Sequence, residues 1–428
     1  MTNHDPATVR GPYSDLVRED RVHRRVYTDA AVFEMEMRHI FGHVWTFLGH
    51  DSEVPKPGDF KTDTFGRRPI IMIRGDDERV RVFYNTCRHR GAKVCYEPYG
   101  NARSLRCMYH GWTYSKTGQL IGVPLRNRFR DFDTEPGFGL LQVPRIDSYR
   151  GFVFASTSTT GPSLRDFLGR GCHYLDLMCD RAPGGDIEVT RPIKCDFPGN
   201  WKLPLENYSD NYHPSVLHQS ALEVGATIMK EKYGDRQFSM RNSAADYVER
   251  TYGSGHGIQD FAGTRGAMWM NAYDNPEYRK ALSARVGPDR AEELVDMDIH
   301  LVIYPNLLIH VRMNNFRVIR PLAVDRTEVW TYPCKLKGAP DDVNETLVLN
   351  TSHHVSAMGE IQVDDLQSYI WTQEGLQAED MEWILLKLHG EDERVNEHGE
   401  LEWRGTSEEI IRSQYREWGR LMLAGELV

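Results

Sequence analysis

Cys87-Arg88-His89 and, seventeen residues further on, Cys107-Met108-Tyr109-His110 are the most informative residues of this 428-residue chain. Each short motif offers one thiol and one imidazole, as C-x-H and C-x-x-H. Zinc modules bring their cysteines as C-x-x-C pairs, so this distribution points to a different metal chemistry. The flanking texture is that of short strands. From Trp45 to about Ser156, apolar runs such as RPIIMIR, RVRVFYN and GFVFAS alternate with turn residues, among them Pro57-Gly58, Gly75-Asp76-Asp77 and Lys116-Thr117-Gly118. A small all-β domain is expected there, leaving through the polar STSTTGPSL of residues 156–164.

Two loops, each delivering one Cys and one His, satisfy both irons of a Rieske [2Fe–2S] centre, which takes two thiolates on one iron and two imidazoles on the other. Cys87, His89, Cys107 and His110 are the expected ligands. Gly91 follows the first motif and Gly111-Trp112 the second, where glycine lets backbone approach the inorganic sulfurs. A zinc-stabilised scaffold is the alternative reading of the four ligands. The other five cysteines, Cys95, Cys172, Cys179, Cys195 and Cys334, read as small buried hydrophobes.

Composition sets the bounds around this centre. A hydrophobic fraction of 40% and a charged fraction of 27% suit a globular protein and exclude a disordered or fibrous one. No run approaches the ~18 apolar residues of a membrane span. The first residues, MTNHDPATVR, lack the apolar core of a signal peptide. Seven cysteines, an odd number, argue for a reducing cytoplasm. A net charge of −10 makes bulk nucleic-acid binding unfavourable. The charge is uneven: residues 79–106 hold Arg79, Arg81, Arg88, Arg90, Lys93, Arg103 and Arg106 against Glu97 alone. Such a basic patch suits either docking of an acidic redox partner or salt bridges across a subunit contact.

The chain divides into a helical N-terminal segment (1–44), the β domain (45–160) and a larger domain (161–428). The first holds an amphipathic helix with Asp29 or Thr28 as N-cap. The last mixes helical stretches (164–180, 203–218, 273–286, 289–297, 343–358, 407–424) with strand-like runs, among them LVIYPNLLIHVRM and NFRVIRPL. The fold class is therefore α+β, an all-β cluster domain followed by an antiparallel sheet flanked by helices. The charged stretch 389–408 reads as a surface excursion.

A second constellation follows Trp201: Glu206-Asn207-Tyr208-Ser209-Asp210-Asn211-Tyr212-His213-Pro214-Ser215-Val216-Leu217-His218. Asp210 and His213 share a helix face. His213 and His218 are turned ~140° apart in an ideal helix. Pro214 distorts the helix, so both rings can aim at one point. Two His and one carboxylate make the facial triad of non-haem Fe(II) oxygenases. Asp364-Asp365 is the candidate source of the third ligand. As a bare pair, His213 and His218 also suit ordinary structural roles.

Together these motifs resemble the α subunit of Rieske non-haem iron aromatic-ring-hydroxylating oxygenases, closest in look to the benzoate- and salicylate-type enzymes. The resemblance rests on the two Cys/His loops and on the run Asn200-Trp201-Lys202 through His218, and covers most of the chain. It implies His213 and His218 as iron ligands. Gln373-Glu374-Gly375-Leu376 sets a register that selects Asp365 over Asp364. It implies that Asp210 bridges the mononuclear iron site to the cluster of a neighbouring subunit. Asn207 faces the iron or serves as a cap. It further implies a homotrimer, or an α3β3 assembly with a small β subunit. Electrons would come from NAD(P)H only indirectly, through a separate reductase and often a ferredoxin. The reaction expected is O₂-dependent cis-dihydroxylation of an aromatic substrate. Monohydroxylation or demethylation, including of a quaternary amine, is the nearest alternative, and a non-catalytic Rieske electron carrier a more distant one. Polar residues on the strands after residue 300, namely His310, Arg312, Asn314 and Arg320, are candidate substrate contacts, with Arg317 among the bases there. Strand alternation would place His310, Arg312 and Asn314 on one face, and a guanidinium there would recognise an aromatic carboxylate. The same residues also suit exposed strand positions or a subunit contact.

Overall fold

The computed structural model describes residues 14–129, 137–224, 227, 247–261 and 271–424. The first thirteen residues of the N-terminal segment lie outside the described residues. The chain forms two compact units. One comprises Phe41–Phe167 with Glu188–Thr190; the other comprises the chain up to Ile40, Leu168–Ile187 and everything from Arg191 onward.

The smaller unit is built from antiparallel strands. One sheet orders Val80–Tyr84, Arg68–Arg74, Asp59–Phe65 and Tyr99–Asn101; a second orders Arg145–Tyr149, Phe152–Ser156 and Thr46–His50; a third orders Leu120–Gly122, Thr113–Tyr114 and Leu105–Arg106. Its apolar residues bury in two clusters. Phe60, Ile71, Phe83, Trp112 and Tyr114 surround Cys87 and Cys107, and Val54, Phe65, Ile70, Val82 and Val153 form the other. The Lys61 ammonium is buried and is met by Glu53 at 3.0 Å and Asp63 at 3.3 Å, which offsets the cost of removing a charge from water.

In the larger unit the N-terminal helix spans Ala30–His39, and Asp29 caps it by accepting from the Ala31 N–H at 2.8 Å. Val32, Phe33 and Met37 bury its apolar face, and Glu36 is buried beside them. That carboxylate accepts from Trp201 Nε1 (2.8 Å), Lys202 Nζ (2.6 Å) and Trp418 Nε1 (2.7 Å). The Trp201-Lys202 pair thereby anchors the N-terminal helix and the C-terminal helix (Glu409–Ala424) on one buried charge. The backbone of this unit is a long antiparallel sheet. It runs through Arg326–Leu336, Asn315–Ala323, Leu307–His310, Ile299–Ile303, Gly257–Asp260, Val248–Thr251, Leu401–Arg404 and Glu391–Val395, and Ile193–Phe197 also pairs with Arg326–Leu336. Helices Asp341–Val355 and Gln362–Gly375 belong to the same unit.

Five expectations are corrected. The stretch 389–408 is no mere surface excursion: Glu391–Val395 and Leu401–Arg404 form a hairpin joined to Val248–Thr251, with Trp403 1% exposed. LVIYPNLLIHVRM is a hairpin rather than one strand: the chain turns at residues 304–306 between Ile299–Ile303 and Leu307–His310, which pair antiparallel. Residues 203–218 form two helices, Lys202–Tyr208 and Pro214–Leu217, broken at Ser209–His213; residues 164–180 likewise split into Leu164–Leu168 and Gly171–Asp180. Cys172 is half-buried, unlike the other four non-motif cysteines, which are buried. Among the described residues no helix is long and apolar enough to cross a membrane.

Candidate functional site

The two Cys/His loops fold alike. In each, the glycine four residues after the cysteine donates its N–H back to the cysteine carbonyl at 2.9 Å: Gly91 to Cys87, Gly111 to Cys107. The cysteine N–H in turn donates to Ala92 O in the first loop and Trp112 O in the second, at 2.8 Å each. Both glycines hold positive φ, +74° and +73°, which L side chains adopt only with strain. The result juxtaposes the ligand set. Cys87 and Cys107 are buried, the His89 and His110 rings lie 4.5 Å apart, and His89 stacks flat on Trp112 at 5.0 Å. Tyr114 Oη is 3.2 Å from Cys87 Sγ and accepts from the Arg88 N–H at 3.1 Å. His89 Nδ1 is buried with no hydrogen-bond partner. A buried ring nitrogen without a partner, beside two buried thiols, fits a metal cluster and has no role in an empty core.

The second set assembles from two distant helical segments. The break after Tyr208 lets Asp210 and His213 turn together, and the helix Gln362–Gly375 brings Asp364 and Asp365. Asp365 Oδ1 is 3.2 Å from His218 Nε2 and 3.7 Å from His213 Nε2. The three donor atoms lie within 4.8 Å of one another. The opposite ring nitrogens meet carboxylates: His213 Nδ1 is 3.2 Å from Asp210 Oδ2, and His218 Nδ1 is 3.2 Å from Asp364 Oδ2. With Nδ1–H donating to these carboxylates, each Nε2 carries the lone pair. Burial disfavours the charged form of His218, but Asp365 and Asp364 outweigh it and raise its pKa. Asn207 Nδ2 donates to Asp365 Oδ1 at 3.2 Å, and Tyr369 Oη donates to Asn207 Oδ1 at 2.9 Å. Asp365 is 3% exposed, and a carboxylate so buried between two imidazoles suits a divalent cation. Two nitrogens and one carboxylate oxygen are the donors of a facial non-haem iron site. Asp364 as a partner for His218, and Tyr369 behind Asn207, escaped the sequence reading; the acidic pair itself was the available signal.

The strand residues divide differently from expectation. The strand ends at His310, and Val311–Asn314 is a turn in which Asn314 has φ +51°. His310, Arg312 and Asn314 therefore do not share a strand face. Arg312 is buried near Asp298 (Nε–Oδ2 3.8 Å), and Asn314 Nδ2 donates to Cys334 O at 2.8 Å. Arg320 lies 3.8 Å over the Trp330 ring with Glu328 Oε2 at 3.4 Å, on the sheet face opposite to Arg317 by the alternation of the strand. His310, by register, lies on the same sheet face as Arg317. There it meets His300, with Nε2 atoms 3.0 Å apart, and Tyr208 stacks on His300 at 5.2 Å. Burial holds both imidazoles neutral, His300 with its pKa lowered to about 3 and His310 well below the usual value, assisted in each case by Arg317. Asp298, His300 and His310 also have donor atoms within 4.8 Å. The two rings already satisfy each other and Arg312 neighbours the acid, so no metal is required there. Splitting the hairpin at Tyr304-Pro305 would have revealed the His300–His310 pairing from sequence.

With this geometry in place, the comparisons with known proteins are specific. Residues 44–142 match the Rieske [2Fe-2S] domain and residues 185–422 the ring hydroxylating alpha subunit catalytic domain. The large subunit of 2-halobenzoate 1,2-dioxygenase from Burkholderia cepacia is 31% identical, over 98% of this chain and 94% of the relative. Toluate 1,2-dioxygenase subunit alpha from Pseudomonas putida is 32% identical, over 95% and 93%. Naphthalene 1,2-dioxygenase from Rhodococcus sp., solved with indole bound, superposes with a TM-score of 0.82 at 27% identity, covering 94% of each chain. A two-domain match across nearly the whole length places the chain in the family of ring-hydroxylating dioxygenase α subunits, oxidoreductases that combine a Rieske [2Fe–2S] domain with a mononuclear-iron catalytic domain.

Proposed function

We propose that this α subunit carries out cis-dihydroxylation of an aromatic carboxylate, with Fe(II) held by His213, His218 and Asp365 and a Rieske cluster held by Cys87, His89, Cys107 and His110. The observation that carries the reading is the convergence of two Nε2 atoms on one buried carboxylate oxygen. Bound there, ferrous iron supplies the activation of O₂, at the expense of electrons received through the Rieske centre.

The chain's own residues do the positioning. Asp210 and Asp364 fix the ring tautomers, and Asn207, itself oriented by Tyr369, steadies Asp365. Buried Leu308, Val302 and Ile319 give the sheet an apolar wall suited to an aromatic ring and to the exclusion of water. The substrate class is supported by the benzoate-type relatives, one named for 2-halobenzoate and one for toluate. In a homotrimer or α3β3 assembly, Asp210 would join His213 to a cluster histidine of the neighbouring subunit, giving electrons and protons a short path. A reductase, with or without a ferredoxin, would reach the cluster over the exposed bases Arg88, Arg90, Lys93, Arg103 and Arg106, for which no acidic partner is found among the described residues. The enzyme would work in the cytoplasm.

The test is a coupled assay with a surrogate reductase and ¹⁸O₂ across benzoates and their neutral analogues. A cis-diol acid carrying two labelled oxygens is expected, and His213→Ala should abolish it while leaving the cluster spectrum intact. A singly labelled phenol would replace the dioxygenase reading by a monooxygenase one.

A further inference from the structure

The sheet face beside the candidate iron site carries a charge that no described residue answers. Arg317 is 8% exposed, and its Nε is buried without a hydrogen-bond partner. Among the described residues its guanidinium makes no hydrogen bond and no ion pair; its one side-chain contact of note is the Tyr208 ring, 5.5 Å away. Other arginines of the sheet and its turns have acids beside them: Arg250 has Glu402 and Asp260, Arg320 has Glu328, and Arg312 has Asp298. Buried charges in proteins are paired, because removing one from water without a counter-charge is costly.

The position of Arg317 follows from strand register. It stands opposite Leu308 on one side and Thr331 on the other. Leu308 and His310 point to the same side of their strand, and His310 is paired with His300. Tyr208, the ring beneath the guanidinium, stacks on His300 and lies next in sequence to Asn207, which donates to Asp365. Arg317 therefore stands on the wall of the iron site, among neutral imidazoles and apolar side chains. A guanidinium fork matches a carboxylate through two parallel hydrogen bonds, and apolar neighbours match an aryl ring.

We propose that Arg317 binds the carboxylate of the substrate and so determines the preference for aromatic acids, in place of Arg312 and Arg320. The proposal rests on the aromatic-carboxylate reading above and names the residue that implements it. The substrate supplies the anion that no described residue provides.

Calorimetric titration of the resting holoenzyme with benzoate, salicylate, phthalate and benzamide tests it, in wild type and in Arg317→Met. The tightest-bound acid should lose at least about 30-fold in affinity in Arg317→Met, the consequence of removing one partner of a buried charged pair. Benzamide should change by less than about threefold, since it offers no charge to pair. The ligand-free variant should melt no lower than wild type, because an unanswered buried charge is gone. Equal affinity for the acid in wild type and Arg317→Met overturns the assignment of Arg317 while leaving the carboxylate reading standing. A wild-type enzyme that binds benzamide and none of the three acids overturns both. Should Arg317→Met fail to fold, Arg317→Lys decides: it keeps the charge and loses the fork, so the acid should weaken about tenfold, and unchanged affinity contradicts the proposal.

Discussion

Both imidazoles of the proposed iron site are held from behind by an acid of their own, His213 by Asp210 and His218 by Asp364. The register that selected Asp365 left Asp364 without a role, and the structure gives it one. In the proposed site both members of the acidic pair serve, Asp365 as a ligand and Asp364 as the partner that orients His218, and adjacent residues on a helix point about 100° apart. It also gives Asp210 a role within a single chain, before any neighbouring subunit is considered. Asp210→Asn replaces a charged acceptor by a neutral one while preserving shape. Turnover should fall by about 10–100-fold with the cluster spectrum retained. Rapid-mixing oxidation of the reduced cluster measures the electron-transfer step directly, and a near-wild-type rate would contradict both the positioning and the bridging role. Arg317 was harder to single out by sequence, because its significance lies in what does not surround it.

At the scale of elements, the two Cys/His loops were legible because the proposed ligands and their glycines are local in sequence. The glycines divide by mechanism. At Gly91, φ is +74° and an added Cβ meets nothing within 4 Å; at Gly118, φ is +82° and a Cβ would sit 2.5 Å from Phe83 Cε1. Gly91→Ala should therefore cost about 1 kcal/mol through backbone strain, with no protein atom in its way. Gly118→Ala adds a clash in the core around the cluster thiols and should cost at least about 2 kcal/mol. Denaturant unfolding followed through cluster absorbance compares them, and equal losses would contradict this division. The elements misread from sequence share a cause. Glu391–Val395 is exposed along its whole length, so it lacks the alternation that marks a half-buried strand. LVIYPNLLIHVRM is buried on both faces, and a continuous apolar run conceals the turn within it. The break between Lys202–Tyr208 and Pro214–Leu217 was partly visible in Pro214, which opens the second helix, where its missing N–H costs nothing, while His213 itself keeps a helical conformation.

Across the whole molecule, the two compact units match the two functions that the motifs announce. The cluster unit was readable from four residues within a short stretch. The iron site was only half readable, since His218 and Asp364 are 146 positions apart and the fold alone brings them together. The link is visible in retrospect: Gln373, which set the register for Asp365, accepts from the Asn200 N–H at 2.9 Å, and Asn200 Nδ2 reaches Tyr27 O at 3.1 Å and Val324 O at 2.8 Å. Residues that mark the family thus tie the carboxylate helix to the segment bearing the histidines. The central claim is that this junction holds one iron beyond the cluster. Iron analysis of purified wild type and Asp365→Ala, with the cluster monitored by its reduced-state EPR signal, tests it most directly. About three iron atoms per wild-type chain and about two per variant chain, with the EPR signal unchanged, are predicted. About two in both proteins would contradict it.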